Sequence, residues 1–81
     1  MFLHVGNSVS IRNKNIIVIF DMDSATVSKV TRDFLNENQK RGNLETVALD
    51  IPKSFVVTQK EKKNRIYLSQ ISPVTLIERL D

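Results

Sequence analysis

Cysteine and tryptophan are absent from this 81-residue chain, and it holds one histidine, one tyrosine, two glycines and two prolines. Without cysteine no disulfide can form, and a lone histidine gives a structural zinc site too few ligands. A single tyrosine and no tryptophan supply few rings for stacking unpaired bases, which argues against single-stranded nucleic acid as the main ligand. Long hydrophobic runs are also missing, and none approaches the roughly 20 apolar residues needed to cross a bilayer. The first five residues are too short, and lack the charged flank, for a signal peptide. The expectation is a soluble, cytoplasmic protein with no cofactor, no metal and no membrane partner.

Charge of one sign is scarce too. Twelve Lys and Arg against nine Asp and Glu leave a net charge of +3, a balance that fits a solvated face as well as a nucleic-acid footprint. Eighty-one residues make one domain, spanning 1–81. A domain of this size buries a smaller fraction of its surface than a larger one does, and such domains often gain stability from disulfides, a metal or self-association. With the first two set aside, self-association is the expected supplement.

Phe2, Leu3, His4 and Val5 form a short β-prone run closed by the turn signal Gly6-Asn7-Ser8. Val9, Ser10 and Ile11 alternate before a polar turn at Arg12, Asn13, Lys14 and Asn15. Ile16-Ile17-Val18-Ile19-Phe20 is the strongest strand signal, and a continuous β-branched run of this kind is expected to be buried on both faces. Three strands with tight connections predict a meander. Asp23 and Ser24 then offer N-cap side chains, and Val27, Val30, Phe34 and Leu35 mark the apolar stripe of a helix of about four turns over 24–38. Its other face mixes Lys29 and Arg32 with Asp33 and Glu37, unlike a recognition helix, and Gly42 is its expected terminator.

Residues 44–49 alternate as a strand. In Asp50-Ile51-Pro52-Lys53-Ser54, proline cannot donate to a ladder and biases its predecessor toward extended backbone. The segment therefore reads as a short connection launching the next strand, with the Lys53 cation lifted to a sheet edge. Strands over 54–59 and 65–71 flank a charged loop at 60–64. Ser72-Pro73 opens a short amphipathic helix carrying Val74, Ile77 and Leu80. The predicted class is α+β: a small antiparallel β-sheet domain of about six short strands, with one amphipathic helix after strand three and a short C-terminal helix.

Asp21-Met22-Asp23 after a hydrophobic strand resembles the first motif of haloacid-dehalogenase-type phosphatases. There, two carboxylates serve one magnesium ion and one of them is the nucleophile. That chemistry also needs a lysine and a further acidic pair; no adjacent acidic pair follows a later strand, Ala25 stands where threonine or valine is usual, and the chain has about half the length such a fold needs. A turn that places carboxylates near a helix start accounts for the motif. His4 reads as a solvent-facing strand residue, and the serines and threonines lack a histidine–carboxylate constellation. Enzyme activity and a small-molecule substrate are not expected. The cations Lys60, Lys62, Lys63 and Arg65 are broken by Glu61 and read first as a solubilising tip, with phosphate contact the lesser alternative. Arg12, Lys14 and Asn15 of the second polar turn, and Lys53 beside Ser54, either contact phosphates or merely shape their turns.

Several segments together resemble the extracellular-matrix regulatory proteins of Firmicutes, most closely their B-type (RemB-like) members. They are Leu3-His4-Val5-Gly6, the Ile16 to Phe20 strand, Pro52-Lys53-Ser54-Phe55-Val56-Val57-Thr58, Arg65-Ile66-Tyr67-Leu68-Ser69 and Ile71-Ser72-Pro73-Val74-Thr75-Leu76. The resemblance spans essentially the whole chain. It implies a DNA-binding protein that assembles into closed homo-oligomeric rings and regulates transcription of biofilm-matrix genes, with double-stranded DNA as its partner. In A-type members DNA contact is ascribed to an arginine before the third strand and an arginine pair before a later one. The matching positions here hold Asn15 and, beside Lys53, Ile51 and Pro52. Arg12, Lys14 and Lys53 remain as nearby cations, and a lysine offers a point charge where an arginine offers a bidentate fork. The rival expectation is an oligomeric protein-interaction or accessory module that binds no DNA.

Overall fold

The structure is a computed structural model, and it describes residues 1–23, 28–48 and 50–80. Strands β1 (Phe2–Gly6) and β2 (Val9–Arg12) pair antiparallel as a separate hairpin. A 3-10 turn, Asn13–Asn15, leads into β3 (Ile16–Asp21). Helix α1 (Lys29–Lys40), β4 (Leu44–Thr46), β5 (Ser54–Lys60), β6 (Lys63–Ser69) and helix α2 (Pro73–Glu78) complete the order. The second sheet runs β3-β5-β6-β4. The α+β class, the six strands and the placement of both helices are as the sequence predicts. The sheet is mixed, since β4 runs parallel to β6 while the β3–β5 and β5–β6 pairs are antiparallel.

The meander does not form. β3 leaves the β1–β2 hairpin and pairs with β5, in a register that sets Ile16 opposite Thr58 and Asp21 opposite Ser54. Nor is β3 buried on both faces: it is an edge strand, and none of its six residues is buried. The central, fully covered strand is β5, where Ser54, Phe55, Val56, Val57 and Thr58 are all buried. Alternate side chains of β5 enter opposite faces of the sheet. Val56 joins Leu3, Val5, Ile11, Val47 and Leu76 beneath the hairpin and α2, while Phe55 and Val57 join Ile66 on the face where Leu35 of α1 packs.

Polar groups tie the layers together. The Ser69 hydroxyl, itself buried, donates to the Val5 carbonyl at 2.6 Å and accepts from the Ile71 amide at 3.1 Å. Gly6 turns the end of β1 at φ +131°, where a Cβ would sit 3.0 Å from the Val47 carbonyl oxygen. An L side chain meets both a strained backbone and a clash there. Ser72 caps α2 by accepting from the Thr75 amide, with Pro73 in the first turn as expected.

Helix α1 starts later than the sequence indicates. Its N-cap is Ser28, whose Oγ accepts from the Thr31 amide at 3.3 Å, whereas Ser24 and Val27 lie outside the described residues, as does Leu49. Gly42, at φ +75° just beyond the C-cap Arg41, ends the helix as predicted. Of the stripe's described residues, Val30 is 80% exposed and Phe34 is also exposed, while Leu35 packs on the sheet. No described helix is long and apolar enough to cross a membrane.

Candidate nucleic-acid interface

The four sequence-predicted contact residues do not come together. Arg12 ends β2, directly opposite Phe2, and its guanidinium lies 5.7 Å from the centre of that ring. Asn15 ends the 3-10 turn, next to the Ile16–Thr58 pair of the sheet. Both line an open groove of about 1000 Å³ whose opposite wall is the β5–β6 hairpin. Lys14 is exposed on the same 3-10 turn but is not part of the groove lining.

Lys53 sits at the far end of β5. Its backbone is held from both sides, its amide donating to the Ser69 carbonyl at 2.8 Å and its carbonyl accepting from the Met22 amide at 2.9 Å. Five residue steps of extended chain lead from it to Thr58, so the two positions are about 17 Å apart. Lys53 shares its depression with Asp21, Asp23 and Asp50. The lining of that depression thus holds three carboxylates and one ammonium. Asp21 Oδ1 accepts from the Asp23 amide at 2.9 Å, the local turn expected for this pair. Among the described residues no cluster of three or more His, Cys, Asp or Glu has metal-binding geometry. His4 is exposed on β1, as its place in the alternation predicts.

The cations collect in the groove instead. Arg12, Arg41, Lys60, Lys62, Lys63 and Arg65 line it, half of the chain's twelve basic residues, with Glu61 as the acidic member of the lining. Arg41 pairs with Glu37 at 3.1 Å and Arg65 with Glu45 at 3.3 Å. Among the described residues no ion pair engages Arg12, Lys60, Lys62 or Lys63. A modest net charge is therefore segregated, with a basic end and an acidic end on one strand.

The hairpin tip is tighter than its sequence implies. In place of a loop over 60–64, β5 runs to Lys60 and β6 begins at Lys63, and the turn is Glu61-Lys62. Both turn residues take positive φ, +51° and +69°, the geometry of the two-residue hairpin turn usually filled by Asn-Gly. The sequence shows the charges but not their arrangement. Arg41 reaches the groove only because α1 ends beside it, and no local pattern reports that.

No curated protein matches the chain. The family model described as "Extracellular matrix regulatory protein A-like" (RemA-like) matches residues 2–80. That match, spanning both sheets and both helices, agrees with the segments that carried the resemblance: the chain belongs to the extracellular matrix regulatory protein A-like family.

Proposed function

We propose that this protein is a ring-forming, double-stranded-DNA-binding transcriptional regulator of biofilm-matrix genes, of the B-type within its family. The observation that carries the DNA reading is the basic groove between the β2 end and the β5–β6 hairpin, with Arg12 and Asn15 on one wall. Cations on a concave surface attract a phosphate backbone and release its counterions, which gives affinity without base recognition. Sequence preference then arises from DNA shape and bendability.

Self-association is supported by the apolar surface one chain leaves open. Ile17 of β3 is 57% exposed and borders a shallow depression with Ile77 and Leu80, while Val30 and Phe34 of α1 are exposed elsewhere. A hydrophobic edge strand with unpaired backbone groups is a template for further pairing unless something covers it. Two different uncovered patches on one chain suit a head-to-tail contact, and such contacts close into rings when the rotation permits. Repetition then multiplies a few cations per subunit into a belt.

The test is a titration of a long duplex at about 50 and 200 mM salt, a window over which a protein with several phosphate contacts loses orders of magnitude in affinity. Tight binding at the lower salt with a steep slope is expected. Absence of binding at the lower salt would leave a protein-interaction module as the better reading.

A further inference from the structure

The geometry points to the β5–β6 hairpin tip, with Lys60, Lys62 and Lys63 set against Arg12, as the surface that grips the DNA phosphate backbone. It replaces the connection before β5 where Lys53 lies. This rests on the DNA-binding reading above and narrows it to particular side chains. Arg65, Arg41 and Asn15 line the same groove.

The strongest reason is a conflict inside the hairpin. Lys60 and Lys63 are direct cross-strand partners, and like charges placed directly opposite destabilise a strand pair. Between them, Glu61 and Lys62 hold the left-handed backbone region that disfavours residues with a side chain. Asn-Gly would form the same turn without that penalty. Two local rules are thus broken within four residues, and such violations concentrate at functional sites. A phosphate between the opposed ammonium groups removes their repulsion, so ligand binding offsets what the free hairpin loses.

The surroundings favour a duplex backbone over unpaired bases. A single-strand track needs successive open rings. Here the Phe2 ring is covered on one face by Arg12, and Tyr67 is half-buried. Near the opposite end of β5, Asp21, Asp23 and Asp50 line the same depression as Lys53. Repulsion from that end orients the chain, presenting the tip and turning the acidic depression away from the phosphates.

The deciding experiment compares full-length variants on one long duplex across a salt series, with thermal unfolding of each. Lys63→Glu converts the opposed pair Lys60–Lys63 into an attractive one. It is expected to raise the thermal midpoint while weakening duplex binding by about tenfold or more at low salt, a combination that misfolding cannot produce. Combined Lys60→Gln, Lys62→Gln and Lys63→Gln should lower the slope of log affinity against log salt by about one per lysine. Lys53→Gln should leave affinity within about twofold of wild type. Wild-type binding that survives the hairpin changes with its slope intact, or that is lost with Lys53→Gln, overturns the hairpin assignment and keeps the DNA reading. Failure of the wild type itself to bind overturns both.

Discussion

β3 and β5 are neighbours in one sheet, and by composition their places should be exchanged. β3 carries Ile16-Ile17-Val18-Ile19-Phe20 and is an edge strand with no buried residue. β5 carries Ser54-Phe55-Val56-Val57-Thr58, all buried, before its exposed end at Gln59 and Lys60. Its two buried polar residues are satisfied locally, Ser54 donating to the Ile71 carbonyl and Thr58 to the Arg65 carbonyl, both at 2.8 Å. On the proposed self-association, the apolar side chains that β3 leaves exposed, Ile17 above all, are covered by another subunit. The pair teaches that the length of a hydrophobic run does not fix the place of a strand within its own sheet.

The sharpest way to break the comparison is to truncate the centre. Phe55 is fully buried and stacks on Phe20 with ring centroids 4.8 Å apart. Phe55→Ala should destabilise the fold by about 3–5 kcal/mol, read from urea unfolding at constant protein concentration. Next comes the polar tie beneath β6. Ser69→Ala removes the donor to the buried Val5 carbonyl and the acceptor for Ile71, at an expected cost of about 1–3 kcal/mol by the same measurement. The cap of α1 is worth less: Ser28→Ala should cost about 1 kcal/mol. If that loss disappears on dilution, helix docking against another subunit, and not the cap, sets the stability of α1.

The edge strand should answer differently. For Ile17→Lys, a change at a surface position of the single chain, subunit stability should move by no more than about 0.5 kcal/mol. The same substitution should abolish assembly, and with it the dependence of the wild-type thermal midpoint on protein concentration. A large loss of stability at a concentration where wild type and variant are both monomeric would show that β3 is needed by its own chain. The comparison with β5 would then collapse.

The element order was legible because each strand and helix has a local signature. Gly6-Asn7-Ser8 makes the first hairpin turn, Ser72-Pro73 starts α2, and Gly42 ends α1. Pairing was less legible, since the partner of β3 lies some forty residues away and alternation says nothing about which strand closes on which. The candidate site was half legible. Arg12 and Asn15 line the groove, while Lys53 lies in a separate depression that it shares with three aspartates. Reading 60–64 as a loop hid the opposition of Lys60 and Lys63, because a charge run carries no register until the turn length is known.

What is proposed for this protein multiplies with copy number: the cover over β3, the basic belt and the steep salt dependence all need further subunits. Sedimentation equilibrium of the wild type at micromolar concentration is therefore the most direct measurement. One defined species at a fixed multiple of the 9.3 kDa chain is expected, reduced to the single chain by Ile17→Lys. A wild-type protein that sediments at 9.3 kDa would contradict it, leaving Ile17, Val30 and Phe34 exposed without a partner.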